Sequence, residues 1–433
     1  MTDHPVQNAR RRKGGRFHGA LTTSAALAAA ALLAGCGHLL DATAPDRILS
    51  TTLDQPGTAQ LLVNSAIADF GCAMQQYAVV TGQFTDELQN GNLSTQENID
   101  LDKRLVSPGR TLYAVQQCNS INGIYTPLSV ARFGADDILR KLEAYTDAEV
   151  ANRTTLIATS AAYAGYGLVL LGEGFCTAAI DGGAELTPAQ LFTQAEARFT
   201  RAIAAAGTGN ASILNLAYVG RARARLDLGK RAEALADAKA VTAGFRVDAP
   251  SSSATPRSEN RLYRLLVQSA NLSVEPAFRD LTVNGVADPR VPVTNAGRMA
   301  ADGTTPLWTT SKFASLNAPV RIASYTEAQL IAAEIEGGQS AVNVINTLHT
   351  ANGLPAFVSV DEATIQAQVA EERRREFFLE GQHLGDLRRR NVPLAPTAGT
   401  PYFNTAKGGV YGPATCFPLP DIERNANPTL KTP

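Results

Sequence analysis

Apolar residues along most of this chain recur at the three- and four-residue steps of an α-helix. The stretch from Thr58 to Val80 shows this spacing clearly. The same spacing predicts further helices over 126–145, 149–175, 187–206, 215–228 and 230–243. Because each helix has one apolar side, it must pack against another helix to bury that side. The sequence therefore predicts an all-α fold.

Small residues recur where consecutive helices would cross. One set resembles the spacing of tetratricopeptide helix pairs, namely Tyr218, Ala222, Leu228, Gly229, Ala234, Ala238 and Val241. Small side chains at a crossing let two helix backbones approach closely. A related spacing of Ala341, Ile345 and Leu348 follows Gly337-Gly338. We predict tetratricopeptide-like units over about 150–245 and 322–350, because both stretches combine a helix pair with a glycine at the turn.

Three long insertions interrupt the helical pattern. Residues 81–125, 245–320 and 389–433 are rich in Gly, Pro, Ser, Thr and Asn and show no sustained helical period. They also contain many of the aromatic residues, which favours an ordered surface. Long loops on a rigid scaffold commonly carry binding sites, so we expect these insertions to face a ligand.

The N-terminus has the features of an export signal. Basic residues between Arg10 and Arg16 precede an apolar run from Ala25 to Leu33, and Leu33-Ala34-Gly35-Cys36 resembles the lipobox of bacterial lipoproteins. We predict a signal peptide over 1–35, lipidation of Cys36 and a single mature domain over 36–433. The alternative is a short transmembrane helix with an incidental cysteine, but the run is too short to span about 30 Å of hydrocarbon.

Removal of this leader changes the charge of the chain. It carries five basic residues and one acidic residue, so the formal net charge falls from −1 to −5. A mildly acidic protein has no electrostatic footprint for a polyanion, which argues against nucleic-acid binding. The lipid is the expected membrane attachment.

Four further cysteines remain after Cys36. In an exported chain they suggest two disulfides, for which three connectivities are possible. We favour Cys72–Cys118 and Cys176–Cys416, because the second bridge would tie the C-terminal loop to the helical body. Four buried free thiols are the alternative.

The sequence carries no recognisable catalytic or cofactor motif. HExxH, GxSxG, a phosphate-binding loop and GxGxxG after a strand are all absent. Gly165-Tyr166-Gly167 and Gly172-Glu173-Gly174 lie in an apolar helix, where close packing and a helix stop explain them better than a nucleotide loop. His38, His349 and His383 lack partners at metal-ligand spacing, so we expect surface or capping positions for them. We predict no enzyme activity, no metal and no cofactor.

The segment 365–390 places charged residues on an apolar helix face. Helical steps from Ile365 and Val369 lead to Glu372, Arg373, Glu376 and Glu380. Buried charges must pair, so we predict structural ion pairs here. A paired-carboxylate active site formed by Glu372, Glu376 and Glu380 is the alternative, and the arginines at 373, 374 and 375 favour ion pairing.

Several motifs, in their order along the chain, resemble those of one known family. They are Asp288-Pro289-Arg290, the helix pair Tyr325–Thr350, the run from Glu372 through Asp386 to Arg388, and the C-terminal Phe417-Pro418-Leu419-Pro420 with Ile422, Asn427-Pro428 and Leu430. Together with the lipobox, they make the mature chain similar to the SusD/RagB family of nutrient-uptake outer-membrane lipoproteins.

The resemblance implies a helical fold of four tetratricopeptide-like units, anchored by lipid to the outer membrane and facing the cell exterior. It implies a protein that captures an oligosaccharide or another large nutrient and delivers it to a SusC-like TonB-dependent transporter. It also implies a structural role for the charged run, with Glu372, Arg373, Glu376, Glu380, Asp386 and Arg388 in ion pairs. Family members need no catalytic residues and no cofactor.

Trp308 is the expected ligand-binding residue. Glycan-binding members of this family stack sugar rings on aromatic side chains, and this chain has a single tryptophan, located in the second insertion. Packing at the rim of the fold is the alternative role for Trp308. A periplasm-facing tetratricopeptide-like scaffold lipoprotein for envelope assembly is the alternative function.

Overall fold

The computed structural model describes residues 53–92, 96–109, 112–118 and 123–430. The described residues from 54 to 430 cluster into one compact unit. The predicted signal peptide 1–35, the predicted lipidation site Cys36 and His38 lie outside the described residues.

Helices dominate the described part of the chain. They are α1 (Ala59–Phe84), α2 (Gln96–Asp102), α3 (Leu112–Val115), α4 (Tyr125–Ala144), α5 (Arg153–Gly174), α6 (Pro188–Ala206), α7 (Ala211–Asp227), α8 (Arg231–Ala240), α9 (Arg261–Tyr263), α10 (Tyr325–Glu336), α11 (Gly338–Ala351), α12 (Glu362–Glu376), α13 (His383–Arg389) and α14 (Asp421–Ala426). Short 3-10 turns span Pro56–Thr58 and Pro276–Phe278, and a π turn spans Arg264–Gln268.

The segments between the helices contain short antiparallel strand pairs. The strands are β1 (Leu88–Asn90), β2 (Ala178–Ala179), β3 (Glu185–Leu186), β4 (Arg246–Ala249), β5 (Leu272–Val274), β6 (Thr282–Val283), β7 (Val286–Ala287), β8 (Val293–Met299), β9 (Pro306–Thr310) and β10 (Val320–Ser324). They pair as β1–β5, β2–β3, β4–β10, β6–β7 and β8–β9. None of these two-stranded sheets forms a core of its own.

Consecutive helices pack on one another in sequence order. From α4 to α8 each helix packs against the next, and α8 continues onto α10, which packs on α11 and α12. Gly337 and Gly338, with φ of 65° and 49°, form the turn between α10 and α11. This is the tetratricopeptide-like helical fold, so the predicted fold class is confirmed. The predicted helices match the observed ones to within a few residues, except that α1 continues to Phe84.

Glycines allow the central helices to approach closely. A Cβ on Gly220 of α7 would lie 2.3 Å from the ring of Phe199, and one on Gly165 of α5 would lie 2.8 Å from the same ring. Phe199 of α6 is fully buried between these helices. The glycines of α5 therefore serve helix packing, as predicted from their position in an apolar helix.

Helix α5 is the one described helix that is long and apolar enough to cross a membrane, and 94% of its most apolar window is buried inside the protein. It contacts α1, α4, α6 and α7. Its uniform apolar character therefore belongs to the central helix of the fold.

The insertions lack long helices but contain local structure. Residues 81–125 include the end of α1, strand β1 and two short helices, and residues 245–320 contain most of the strands. The described residues of the third insertion, which end at 430, contain α14 as their one helix beyond the end of α13. Their Gly and Pro content disfavours long helices. Strand pairs β1–β5 and β4–β10 join segments that are distant in the sequence, whereas β6–β7 and β8–β9 are local hairpins.

Two disulfides anchor the first and third insertions. Cys72 in α1 bonds to Cys118, and Cys176, just after α5, bonds to Cys416. These are the pairings that we favoured from the sequence. The second bridge is flanked by hydrogen bonds from the Cys176 amide to the carbonyl of Phe417 at 2.8 Å and from the Phe417 amide to Gly174 at 3.0 Å.

Loss of the Cys176–Cys416 bridge should destabilise the protein measurably. The two cysteines are 240 residues apart, and a crosslink over so long a loop restricts the unfolded chain strongly. We expect Cys176→Ser/Cys416→Ser to lower the free energy of unfolding by about 2–5 kcal/mol in urea titrations of the mature protein. Wild-type protein treated with reductant is the control. An unchanged unfolding midpoint in the variant would contradict the prediction.

Candidate functional site

The carboxylate of Glu372 lies at the centre of a buried cluster of hydrogen-bond donors. It has no exposed surface and accepts bonds from Arg290, from His349 Nε2 at 2.8 Å and from Gln368 at 2.6 Å. Arg290 also binds Asp288, at 2.8 Å between Nη2 and Oδ2. The Asp-Pro-Arg tripeptide therefore connects the second insertion to α12.

Glu376 and Glu380 share a different cationic partner. Arg321 of β10 donates to Glu376 Oε1 at 2.8 Å and to Glu380 Oε2 at 2.7 Å, and Lys312 lies 2.9 Å from Glu380. Burial alone would raise the pKa of Glu380, but the charges and hydrogen bonds of Arg321 and Lys312 lower it below its usual value. A general acid needs the opposite shift, so this carboxylate is suited to pairing.

Arg373 pairs with Asp386 of the following helix. Its Nε and Nη2 donate to the two carboxylate oxygens at 2.7 and 2.9 Å, and Arg389 binds the same carboxylate at 2.9 Å. Burial would raise the pKa of Asp386, but these guanidinium groups hold it far below its usual range. The predicted ion pairs thus form, although Arg373 and Glu376 are not partners of each other.

The predicted ion pair of Arg388 is wrong. Its Nη1 donates to the carbonyls of Gly172, Glu173 and Phe175 at 3.2, 2.6 and 3.1 Å. Carbonyls at the end of a helix have no partner within the helix. Arg388 therefore satisfies the C-terminal end of α5 instead of a carboxylate.

The expected surface or capping positions of His349 and His383 are also wrong. Both rings are buried, and His383 Nε2 lies 2.6 Å from Asp86. Burial would lower the pKa of His383, but the hydrogen bond and charge of Asp86 raise it above its usual value. The partner of His383 precedes it by 297 residues, so no local pattern could reveal it. Within the described ranges, no group of three or more potential ligand side chains is arranged to hold a metal ion.

A cavity of about 180 Å³ lies where α5, α6, α7 and α13 meet. Glu173 and Asp227 line it, and each has one buried carboxylate oxygen without a hydrogen-bond partner in the described structure. Burial, despite the attraction of Arg223, raises the pKa of Glu173 to about 8. Burial likewise raises the pKa of Asp227 to about 7, against the attraction of Arg389. Both carboxyl groups therefore keep a proton at higher pH than exposed carboxyls do. No motif in the sequence marks either residue as functional.

The three insertions meet in a second buried polar cluster, which we call the loop junction (Asn90, Asp102, Asp302, Tyr402 and Lys407). Lys407 lies 2.8 Å from Asp302 and donates to the carbonyl of Asn90 at 2.6 Å, while Tyr402 donates to Asp102. Burial opposes ionisation of Asp302, but hydrogen bonds from Lys407, Thr305 and Thr304 lower its pKa to about 2. Burial raises the pKa of Asp102 to about 6. The loop junction makes one surface from three separate insertions.

Trp308 lies on β9 beside this surface and is half-buried. Its backbone amide donates to Ser273 Oγ at 2.9 Å, and its ring packs partly against the main core. The guanidinium of Arg279 lies 5.0 Å from the ring centroid. Across the hairpin, residues 294–299 of β8 are all exposed. Arg279 therefore lies over one face of the indole, part of the ring packs on the core, and the exposed Asn295 is its partner on the neighbouring strand.

The stability of the protein should depend on the ionisation of Glu173. Because its folded pKa is raised, it stabilises the fold when protonated, and this contribution is lost as pH rises from about 4 to about 8. The unfolding free energy of Glu173→Gln minus that of wild type should therefore increase by about 2–4 kcal/mol from pH 5 to pH 9. Urea unfolding at both pH values measures this gain. Glu233→Gln, at an exposed position of α8, is the control and should show no such change. A constant difference between Glu173→Gln and wild type would contradict the prediction.

Comparison with known proteins agrees with this architecture. The model of the SusD family matches residues 309–432, which contain β10, α10–α14 and the ion-paired residues of this region other than Asp288 and Arg290. No curated protein sequence matches the chain significantly.

Solved structures share the fold over most of the chain. A SusD-like carbohydrate-binding protein from Bacteroides vulgatus superposes with a TM-score of 0.64 at 15% identity, covering 87% of this chain and 97% of its own. A laminarin-binding SusD-like protein gives 0.61 at 15% identity, with 84% and 97% covered. Surface glycan-binding protein A from Bacteroides thetaiotaomicron, in complex with laminarihexaose, gives 0.62 at 15% identity, with 87% and 98% covered.

The sequence match and the fold complement each other. The match covers the C-terminal ion-pair helices, and the structural likeness extends over the tetratricopeptide-like helices that precede them. Residues 309–432 match the SusD family model, and the chain shares its fold with SusD-like proteins over most of its length.

Proposed function

We propose that the mature chain is a cell-surface nutrient-binding lipoprotein. It captures an oligosaccharide or another large nutrient and delivers it to a SusC-like TonB-dependent transporter in the outer membrane. The observation that carries this proposal is the surface formed by three insertions on a rigid helical scaffold, joined by Lys407, Asp302 and Asn90. Relatives with the same fold are described as carbohydrate-, laminarin- or laminarihexaose-binding proteins, which supports a glycan as the nutrient.

Trp308 is the proposed contact with the nutrient. A sugar ring stacks on an indole because both have apolar faces that exclude water together. Arg279 lies over the ring and can donate hydrogen bonds to sugar hydroxyls at its edge. The exposed strand β8 adds backbone and polar groups from Thr294 and Asn295 along the same hairpin.

The charged helices support a binding role for this protein over a catalytic one. The three glutamates of α12–α13 that were candidates for a paired-carboxylate site are each bonded to Arg290, Arg321 or Lys312. Glu372 is fully buried, and Arg321 binds both Glu376 and Glu380, so all three carboxylates are held in ion pairs. We therefore propose that binding and delivery need neither an enzyme reaction nor a cofactor.

Replacement of Trp308 should weaken ligand binding. The mature protein is first titrated calorimetrically with soluble glycans, including laminarihexaose, to find one that binds. We expect Trp308→Ala to weaken binding of that glycan about fivefold, since an aromatic stacking contact is worth about 1 kcal/mol. Phe133→Ala, at a side chain that is 51% exposed on α4, is the matched control. Unchanged affinity would remove Trp308 from the site without excluding the function.

The membrane placement and the partner have a separate test. We expect a large β-barrel protein to co-purify with the lipidated protein when it is extracted from its own cells in mild detergent. We also expect proteases added to intact cells to digest the lipidated protein. Mass spectrometry identifies the barrel, and a periplasmic protein serves as the control for intact envelopes. Resistance to protease until the envelope is opened would favour a periplasm-facing scaffold for envelope assembly.

A further inference from the structure

The cavity between α5, α6, α7 and α13 has two carboxylates in its walls that lack close partners. The side chains of Glu173 and Asp227 are only 6% and 7% exposed. In each carboxylate, one fully buried oxygen has no hydrogen-bond partner among the described residues. Their ion pairs are long, at 4.0 Å from Glu173 to Arg223 and 3.4 Å from Asp227 to Arg389. Buried polar groups normally have partners, so this pair of carboxylates requires an explanation.

The guanidinium groups near the cavity are committed to other acceptors. Arg223 Nε donates to a carboxylate oxygen of Glu327 at 2.7 Å. Arg389 Nη2 donates to Asp386 at 2.9 Å. Arg388 Nη1 donates to three backbone carbonyls at the end of α5. The positive charges around the cavity are therefore largely neutralised by groups other than the two unpartnered carboxylates.

The polarity of the helices also favours a positive ligand. Glu173 lies in the last turn of α5, and Asp227 is the last residue of α7. The C-terminal end of a helix carries a partial negative charge, which adds to the charge of these carboxylates. Helix α6 begins at the cavity, but Thr187 and Gln190 form a capping box over its first turn. The cavity therefore has the electrostatic character of a cation site.

The walls of the cavity suit an organic ammonium ion better than a metal ion. Within the described ranges, no group of three or more potential ligand side chains is arranged to hold a metal ion. The largely buried ring of Phe192 forms part of the wall, and aromatic rings attract organic cations. A primary ammonium group carries three N–H donors, which is enough to serve two carboxylates. A volume of about 180 Å³ leaves room for a short alkyl group as well.

We propose that this cavity, which we call the carboxylate cavity, binds a small primary ammonium ion. The N–H groups of the ion donate to Glu173 and Asp227, and its alkyl group lies against Phe192. Because the bound ion supplies the partner that both carboxylates lack, it stabilises the packing of α13 on α5 and α7. The inference rests on the carboxylate cavity alone and is independent of nutrient delivery.

Binding should strengthen as the pH rises. Charged and titratable groups of five helices act on the two carboxylates, namely Tyr77 of α1, Arg223 of α7, Glu327 of α10, Arg373 of α12, and Asp386, Arg388 and Arg389 of α13. Burial raises the pKa of Glu173 to about 8 and that of Asp227 to about 7. Both carboxyl groups are therefore largely neutral at pH 6, whereas an alkylammonium ion keeps its charge at pH 9. We expect the Kd of the ion to fall at least about tenfold from pH 6 to pH 9.

The test titrates the mature protein with methylammonium chloride at pH 6 and pH 9 and follows the melting temperature, with NaCl at equal ionic strength as the reference. A ligand of two heavy atoms binds at best with a millimolar Kd, so the titration covers that range. We expect methylammonium to raise the melting temperature at pH 9. Tetramethylammonium has the same charge but no N–H donor, and we expect it to have no effect.

Two variants locate the site. Glu173→Gln keeps the size of the side chain but removes its charge, and it should weaken methylammonium binding at pH 9 at least about tenfold. Glu233→Gln, at an exposed position of α8, is the matched control and should bind as wild type does. The melting temperature of each variant without amine verifies that it folds.

Three outcomes would overturn the inference. They are an equal Kd for wild type and Glu173→Gln, equal effects of methylammonium and tetramethylammonium, and no effect of methylammonium beyond that of NaCl. Stabilisation by KCl or CaCl₂ at lower concentrations than methylammonium would also overturn it, because the preferred ligand would then be a metal ion.

Discussion

The buried ion pairs of α12 and α13 are the interaction on which the rest of the structure depends. Glu372, Glu376 and Glu380 bind Arg290, Arg321 and Lys312, which all belong to the second insertion or to β10 at its end. Removal of one partner would leave a buried charge uncompensated, at a typical cost of about 3–5 kcal/mol. Each pair therefore fixes a loop against the helical body.

Buried polar and charged contacts also hold the three insertions together in the loop junction. The three insertions are far apart in the sequence, yet Lys407, Asp302 and Asn90 come together in the loop junction. The Cys176–Cys416 bridge and the strand-like contact between Phe175 and Phe417 hold the C-terminal insertion on the end of α5. Charged groups inside the loops thus give the surface a fixed shape although it contains few long regular elements. A preformed surface loses little entropy when a ligand binds.

Much of the helical body was predictable from residue spacing. The period of the apolar residues placed α1 and α4–α8 to within a few residues, because amphipathic helices repeat their contacts locally. The charged apolar face of α12 predicted ion pairs correctly but could not name their partners. Arg290 and Arg321 lie 82 and 55 residues before the glutamates that they bind. The sequence predicted a carboxylate partner for Arg388, which instead binds carbonyls at the end of α5. That contact joins segments 215 residues apart, so it arises only on folding.

The sequence by itself determined the helical class, the order of the helix pairs, the position of the insertions and the resemblance to the SusD/RagB family. These properties follow from local periodicity and from short motifs, which can be read directly from the linear sequence. Only the tertiary structure decided that His349 and His383 are buried, that Glu173 and Asp227 share a cavity, and that Val358 and Val360 face solvent. The burial and the partners of these residues depend on segments that are distant in the sequence and come together only on folding. The residues next to each of them in the sequence therefore do not predict either property.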